Sequence, residues 1–199
     1  MVSVTELLRR RPDGLQALAI DIPIGLMDGP RACDKAARVK LGKPRGSSVF
    51  PAPCRTALAA RDYAESCQIN QSHAGKKLTK QSWAIAHKIK EVDDAIMPEH
   101  QSWVFEVHPE VCFWHFAGGK PMQHKKSRKA GRDERIEILA RYLPRIAELV
   151  STRPVGVAVD DLLDAAVAAL TARRRQSGEA ARVCEPQQDA RGLRVEIAY

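Results

Sequence analysis

Leu18-Ala19-Ile20-Asp21-Ile22-Pro23 is the stretch on which the fold reading turns. Its apolar residues run continuously, the pattern of a parallel strand covered on both faces, where a half-exposed strand would alternate. It predicts a buried central strand over 15–24, ended by Pro23 and Gly25. One acid, Asp21, stands inside it. A carboxylate in an apolar run is costly to bury without a cation or a hydrogen-bond network to compensate it. A second run, Trp103-Val104-Phe105-Glu106-Val107-His108-Pro109, predicts a strand over 102–108 and carries Glu106. Alternation places Val104, Glu106 and His108 on one face and Trp103, Phe105 and Val107 on the other. Both acids lie near the C-terminal ends of their strands, where open α/β sheets bind ligands.

Working outward, helices are expected at 3–10, 31–41 and 55–69, with a Pro-, Gly- and Ser-rich loop over 43–54. The strongest helical signal is 79–97, where Ile85, Ile89, Val92 and Ile96 share one face and Pro98 ends the run. A basic loop over 118–131 leads to a helix at 132–150, with Ile136, Leu139, Leu143 and Ile146 on one stripe. Pro144 should kink or split it. A small-residue helix follows at 158–176, acidic at its start and basic at its end as the helix dipole favours. Residues 193–198 alternate like an edge strand. Strands separated by helices predict one α/β domain over residues 1–199.

The late helix supplies a third acidic group, Asp160, Asp161 and Asp164. Asp161 and Asp164 are three apart and share a face, roughly 5–6 Å from each other. Two such carboxylates repel unless a cation lies between them. Asp160 also suits a helix N-cap. Acids from three separate segments suggest one shared metal site. The plainer alternatives are that Asp21 caps a turn and that Glu106 pairs with a helix arginine. His108 reads equally as a general base, as an orienting group behind the metal ligands, or as a hydrogen-bonded structural histidine. Arg31, Asp34 and Arg38 read as a helix-surface ion-pair set. Trp83, Trp103 and Trp114 read as core.

The chain has 199 residues and a formal net charge of +8, which suits an anionic partner such as nucleic acid. Lys120, His124, Lys125, Lys126, Arg128, Lys129, Arg132 and Arg135 concentrate that charge at a density that suits phosphate contacts; a solvated charge run is the bland alternative. Gly42-Lys43 and Gly118-Gly119-Lys120 lack P-loop spacing. The five cysteines include no Cys-x-x-Cys pair, so neither a zinc knuckle nor a disulfide framework is supported, and reduced thiols in a cytoplasmic protein are expected. No apolar stretch reaches the roughly 20 residues of a membrane span, and the N-terminus lacks a signal-peptide core.

The motifs ALAIDIPIGL, GSSVFPAP, KIKEVD, FEVHPE, KKSRKAGRDER, VDDLLDA and GLRVEIAY, in that order, resemble domain-of-unknown-function family 429 from about residue 17 onward. The resemblance implies a ribonuclease H-like fold, a mixed sheet flanked by helices, and a nuclease using Mg2+ or Mn2+. In its terms Asp21 looks like the fourth-strand acid, and Asp161 and Asp164 look like the paired acids of the late helix. Glu106 would be an extra catalytic acid on the next strand, a feature of the family it resembles. Asp21, Asp161 and Asp164 would hold the metal, and Lys125, Lys126, Arg128 and Arg132 would hold the phosphate backbone. Family members usually begin with a strand bearing an aspartate, glycines and a tryptophan. Residues 1–16 show no match, so the usual first strands are expected to be missing, and an exposed sheet edge would invite a homodimer. Two other readings stand beside the nuclease. One is a non-catalytic nucleic-acid binder or degenerate relative. The other is a nucleotide-binding phosphotransferase or ATPase on a related fold, which would need phosphate loops that the sequence lacks.

Overall fold

The computed structural model describes residues 3–199. In chain order they form α1 (Val4–Arg9), β1 (Leu18–Ile20), α2 (Ala32–Arg45), α3 (Tyr63–Ala74), α4 (Lys80–Ala84), α5 (Ala86–Ala95), β2 (Val104–Glu106), α6 (Pro109–Phe116), α7 (Lys129–Ala140), α8 (Ile146–Ser151), α9 (Val159–Gln176), β3 (Gln187–Gln188) and β4 (Arg194–Val195). Short 3-10 turns occupy Gly46–Ser48, Arg55–Ala59 and Pro98–Ser102. The architecture is mixed α/β with a small parallel sheet.

β2, not β1, is the middle of that sheet. All three of its residues are buried. β1 pairs with it in parallel, Leu18 opposite Val104 and Ile20 opposite Glu106. On its far side Val107 bridges in parallel to Ala198, and Ala198 meets Arg182 antiparallel. β1 therefore forms an edge, and only Ile20 of its residues is buried. The continuous apolar run that suggested a central strand reflects cover from helices, not neighbours on both sides. Along the free edge, residues 14–19 and the alanine face of α9 (Ala165, Ala168, Ala169, Ala172) line a groove of about 480 Å3.

Three apolar clusters hold the layers together. Phe105 and Val107 pack with Phe113, Leu139, Leu163 and Val167 from α6, α7 and α9. Ile20, Val104 and Trp103 pack with Leu8, Val92 and Ile96 from α1, α5 and its end. Ala37 and Leu41 of α2 close over Val111, Val195 and Ile197. Trp103 sits with Val104 because its backbone ψ of −13° is not extended, so strand alternation does not reach it. At about 25 cal/mol per Å2 of apolar surface, each fully buried Leu, Ile or Phe contributes roughly 1.5–3 kcal/mol.

Local chemistry sets the helix boundaries. The 55–69 expectation fails because Arg55–Ala59 is a 3-10 turn. α3 starts later, where the Asp62 side chain accepts the Glu65 N–H. The single helix expected over 79–97 is two. Thr79 caps α4 by accepting the Ser82 N–H, and Ile85 breaks the run at φ −106°, ψ 4°. Pro144 lies between α7 and α8 and splits the stripe that crosses it. The regular run of α2 breaks at Gly42, whose φ of +55° favours glycine. Gly178, at φ +75°, follows the end of α9, and Arg173, Arg174 and Arg175 complement its C-terminal dipole.

Candidate functional site

A cleft of about 800 Å3 opens at the C-terminal ends of β1 and β2. Parallel pairing puts those ends side by side, so Asp21, just past β1, and Glu106 and His108, at the end of β2, reach the same wall. Pro109 then turns the chain into α6 from the N1 position, with Glu110 in its first turn. The beginning of α9 adds Asp160 and Asp164. The turn before α7 adds Lys125 and Lys126, and Arg45, Ser47, Ser48, Val49 and Phe50 close the other side.

Lys126 is the centre of charge. Its Nζ donates to Asp164 Oδ2 at 2.6 Å. Burial works against the ammonium, but the hydrogen bond and charge of Asp164, then Asp160 and Asp21, outweigh it and raise the Lys126 pKa. Asp164 Oδ1 is buried with no hydrogen-bond partner. Burial pushes the Asp164 carboxyl up, and Lys126 opposes that. Asp21 opens to the cleft, yet crowding by protein dominates its environment. That desolvation, with the charge of Asp164 added and Lys126 subtracting, raises its pKa from 3.8 to about 7. Gly131, in the first turn of α7, fixes the height of this lysine turn. A Cβ there would lie 2.0 Å from the Lys125 carbonyl oxygen. Glu134 accepts the N–H groups of Gln123 and His124 at 2.7 and 3.0 Å, tying down the same turn.

Glu110 has the same half-satisfied form as Asp164. Its Oε1 pairs with Arg135, which is fully buried in α7, while Oε2 is buried without a partner. His108 lies between the two glutamates. Its Nδ1 is also buried and unpartnered, and its Nε2 stands 3.4 Å from the Ser48 carbonyl. Burial lowers the His108 pKa, which keeps the ring neutral. Ile20 and Glu106 are cross-strand partners, but Glu106 is already engaged. Its Oε2 accepts Arg31 Nη2 at 2.5 Å and the Ile24 N–H at 2.7 Å. Burial drives the Glu106 carboxyl up and the guanidinium pulls it back. The plainer alternative for Glu106, pairing with a helix arginine, is thus realised by the residue that caps α2.

Several expected positions fall elsewhere. Asp161 is exposed and lies outside the cleft lining, whereas Asp160, four residues before Asp164, lines it. Arg128 is an exposed N-cap of α7, and Arg132 spends its Nη1 on the Ser127 carbonyl; neither lines the cleft. Arg135 is core, not part of a phosphate-binding loop. Arg31 and Asp34 are buried, at 2 % and 6 % exposure, so they form no surface set. Sequence reasoning missed Glu110 and Phe50. The spacing Glu106-x-His108-x-Glu110 contained a signal for the first. A polar residue every second position continues into a proline-started helix and stays on the ligand side.

Among the described residues no group of three or more His, Cys, Asp or Glu side chains is gathered to hold a metal ion. Mg2+ does not require one. It sheds water reluctantly and is typically held by one or two carboxylates with waters and substrate phosphates. The two unpartnered oxygens, on Asp164 and Glu110, and the carboxylate of Asp21 are hard donors of the kind Mg2+ and Mn2+ accept. On this chemistry Asp21 and Asp164, both in the cleft lining, could hold such an ion. All five cysteines are free thiols, and Cys112, in the adjacent core, is pushed up to about 12 by burial. Among the described residues no helix is long and apolar enough to cross a membrane.

The family model described as "Protein of unknown function (DUF429)" matches residues 2–189. The match takes in the segment before β1 and every quoted motif except the closing GLRVEIAY, which lies beyond it. No curated protein matches, and no solved structure matches.

Proposed function

We propose that this chain, which belongs to the DUF429 family, is a divalent-metal-dependent nuclease that hydrolyses phosphodiester bonds in DNA or RNA, on a fold of ribonuclease H type. The observation that carries the reading is the charge imbalance at the strand ends. Asp21 and Asp164 crowd one lysine, and Asp164 keeps a buried oxygen with no partner. Such an arrangement is held ready for a cation. Bound Mg2+ or Mn2+ would polarise the phosphate and favour ionised water at neutral pH. The protein's own groups do the rest. Lys88 and Lys125 line the same cleft and draw a polyanion to it. Lys126 carries a positive charge from Asp164 toward the incoming phosphate. His108, neutral and with an open Nδ1, holds or accepts a proton beside the acids.

Titrating Mg2+ and Mn2+ into a cleavage assay tests this. Cleavage should need the metal and fall by about a hundredfold or more in Asp21→Asn and Asp164→Asn. Undiminished cleavage in both variants ends the proposal. One observation favours a second reading, a non-catalytic nucleic-acid binder: the ammonium of Lys126 already neutralises Asp164. That reading predicts salt-sensitive binding with no cleavage at any metal concentration.

A further inference from the structure

The cleft that holds the acids also holds an aromatic ring. Phe50 lines it and is 40 % exposed. A single exposed phenylalanine needs no explanation by itself. This one stands on backbone that is fastened on both sides. The Val49 carbonyl accepts Arg38 Nη1 at 2.9 Å, and the Val49 side chain is buried. The Pro51 carbonyl accepts Ser82 Oγ at 2.9 Å, and the Ala52 N–H donates to Asp34 Oδ2 at 2.9 Å. A segment this well tied could have turned its ring inward; instead it presents it to the cleft. Ile85, from the break between α4 and α5, lines the same cleft. Lys88 and Lys125 also line the cleft, and among the described residues neither forms an ion pair.

We infer that the cleft takes single-stranded nucleic acid, with an unpaired base stacked on Phe50 and its flanking phosphates held by Lys88 and Lys125. A base has a free face for an aromatic ring only when it is out of the duplex stack. A volume of about 800 Å3 is that of a small-molecule pocket. It suits about one or two nucleotides and excludes a double helix. Unpaired ammonium groups and an aromatic ring lining one cleft are the combination that binds single strands with little sequence preference. The inference rests on the nuclease reading only for the choice of a polyanion as ligand.

The test measures binding without metal, in EDTA, by fluorescence anisotropy. The probes are labelled oligothymidylate, labelled oligouridylate and a blunt DNA duplex of equal length. Wild type should bind at least one of the single strands about tenfold or more tightly than the duplex, and the two arms tell DNA from RNA. Phe50→Ala should lose about tenfold for that strand and leave duplex binding unchanged. Phe50→Trp should restore affinity, and its indole fluorescence should be quenched when the strand is added. Equal affinity for duplex and single strands, or unchanged affinity in Phe50→Ala, overturns the inference. Metal-dependent cleavage is scored separately. Its absence alongside Phe50-dependent binding overturns the nuclease proposal alone. Cleavage that persists in Phe50→Ala with the strand preference of wild type overturns the stacking role alone.

Discussion

Asp189 and Asp164 are both aspartates removed from water, and they meet opposite fates. Asp189, after β3, receives four donors: Arg55 and the N–H of Leu26 on Oδ2, and the N–H groups of Arg191 and Leu193 on Oδ1. Burial pushes its carboxyl up, but these donors outweigh it and the pKa falls. Asp164 receives one donor, Lys126, and its pKa rises. More donors, together with a lighter desolvation cost, separate an acid that ties the fold from one that strains it. The first joins the C-terminal hairpin to α5 through Arg55, which also grips Asp93. The second is paired by Lys126 and leaves one buried oxygen for something outside the chain to meet.

The largest expected effect breaks the satisfied side. Asp189→Ala leaves three backbone N–H groups without their acceptor and takes one of two carboxylates from Arg55, and should cost about 3–5 kcal/mol of stability in urea titration. Asp164→Asn in EDTA should change stability by no more than about 1 kcal/mol, because it removes an under-compensated charge. Equal losses in the two variants would erase the distinction.

pH sharpens the comparison further. The Asp21 pKa rises from 3.8 to about 7 on folding, so the folded chain holds that proton more tightly than the unfolded chain does. Its contribution is therefore full below about pH 4 and is lost as pH rises through about 7. Asp189 has the opposite sign. Its contribution is present above 3.8 and is lost as pH falls through its lowered folded value. Denaturation midpoints in EDTA should drop between about pH 4 and pH 7, and Asp21→Asn should make that slope shallower, with the raised Glu106 and Asp164 carboxyls supplying the rest. A flat wild-type profile over that range removes Asp21 from the strained group. Mg2+ should raise the melting temperature at the alkaline end in wild type and not in Asp164→Asn, by mass action on the folded state. The smallest effect belongs to Asp161→Ala. This exposed side chain stands off the cleft, so stability should move by less than about 0.5 kcal/mol, with cleavage unchanged.

Local signals carried well into three dimensions. The α9 boundaries follow from its alanine content, its acidic start and its arginine end. The split at Pro144 follows from a missing N–H. The break at Ile85 did not show, because apolar spacing is blind to a one-residue change of φ and ψ. The capping pair Asp62 and Glu65 was present in the sequence and outweighed the periodicity assumed for 55–69. At the site, Asp21 and Asp164 were legible because an acid among apolar residues signals a cost that something must offset. Glu106 gave the same signal for a different reason. Its partner Arg31 lies 75 residues away, and no local pattern names it. Phe50 was invisible because exposure of a ring depends on which carbonyls and N–H groups on either side of it find partners.

Gly131 turns that dependence on neighbours into a matter of one hydrogen atom. Because α7 touches the Lys125 carbonyl where a methyl group would have to go, alanine there must push the lysine turn away from α7. The ammonium would then leave Asp164, and the acids would face each other with nothing between them. The balance of the whole cleft is set from beneath it, by a position that carries no charge and meets no substrate.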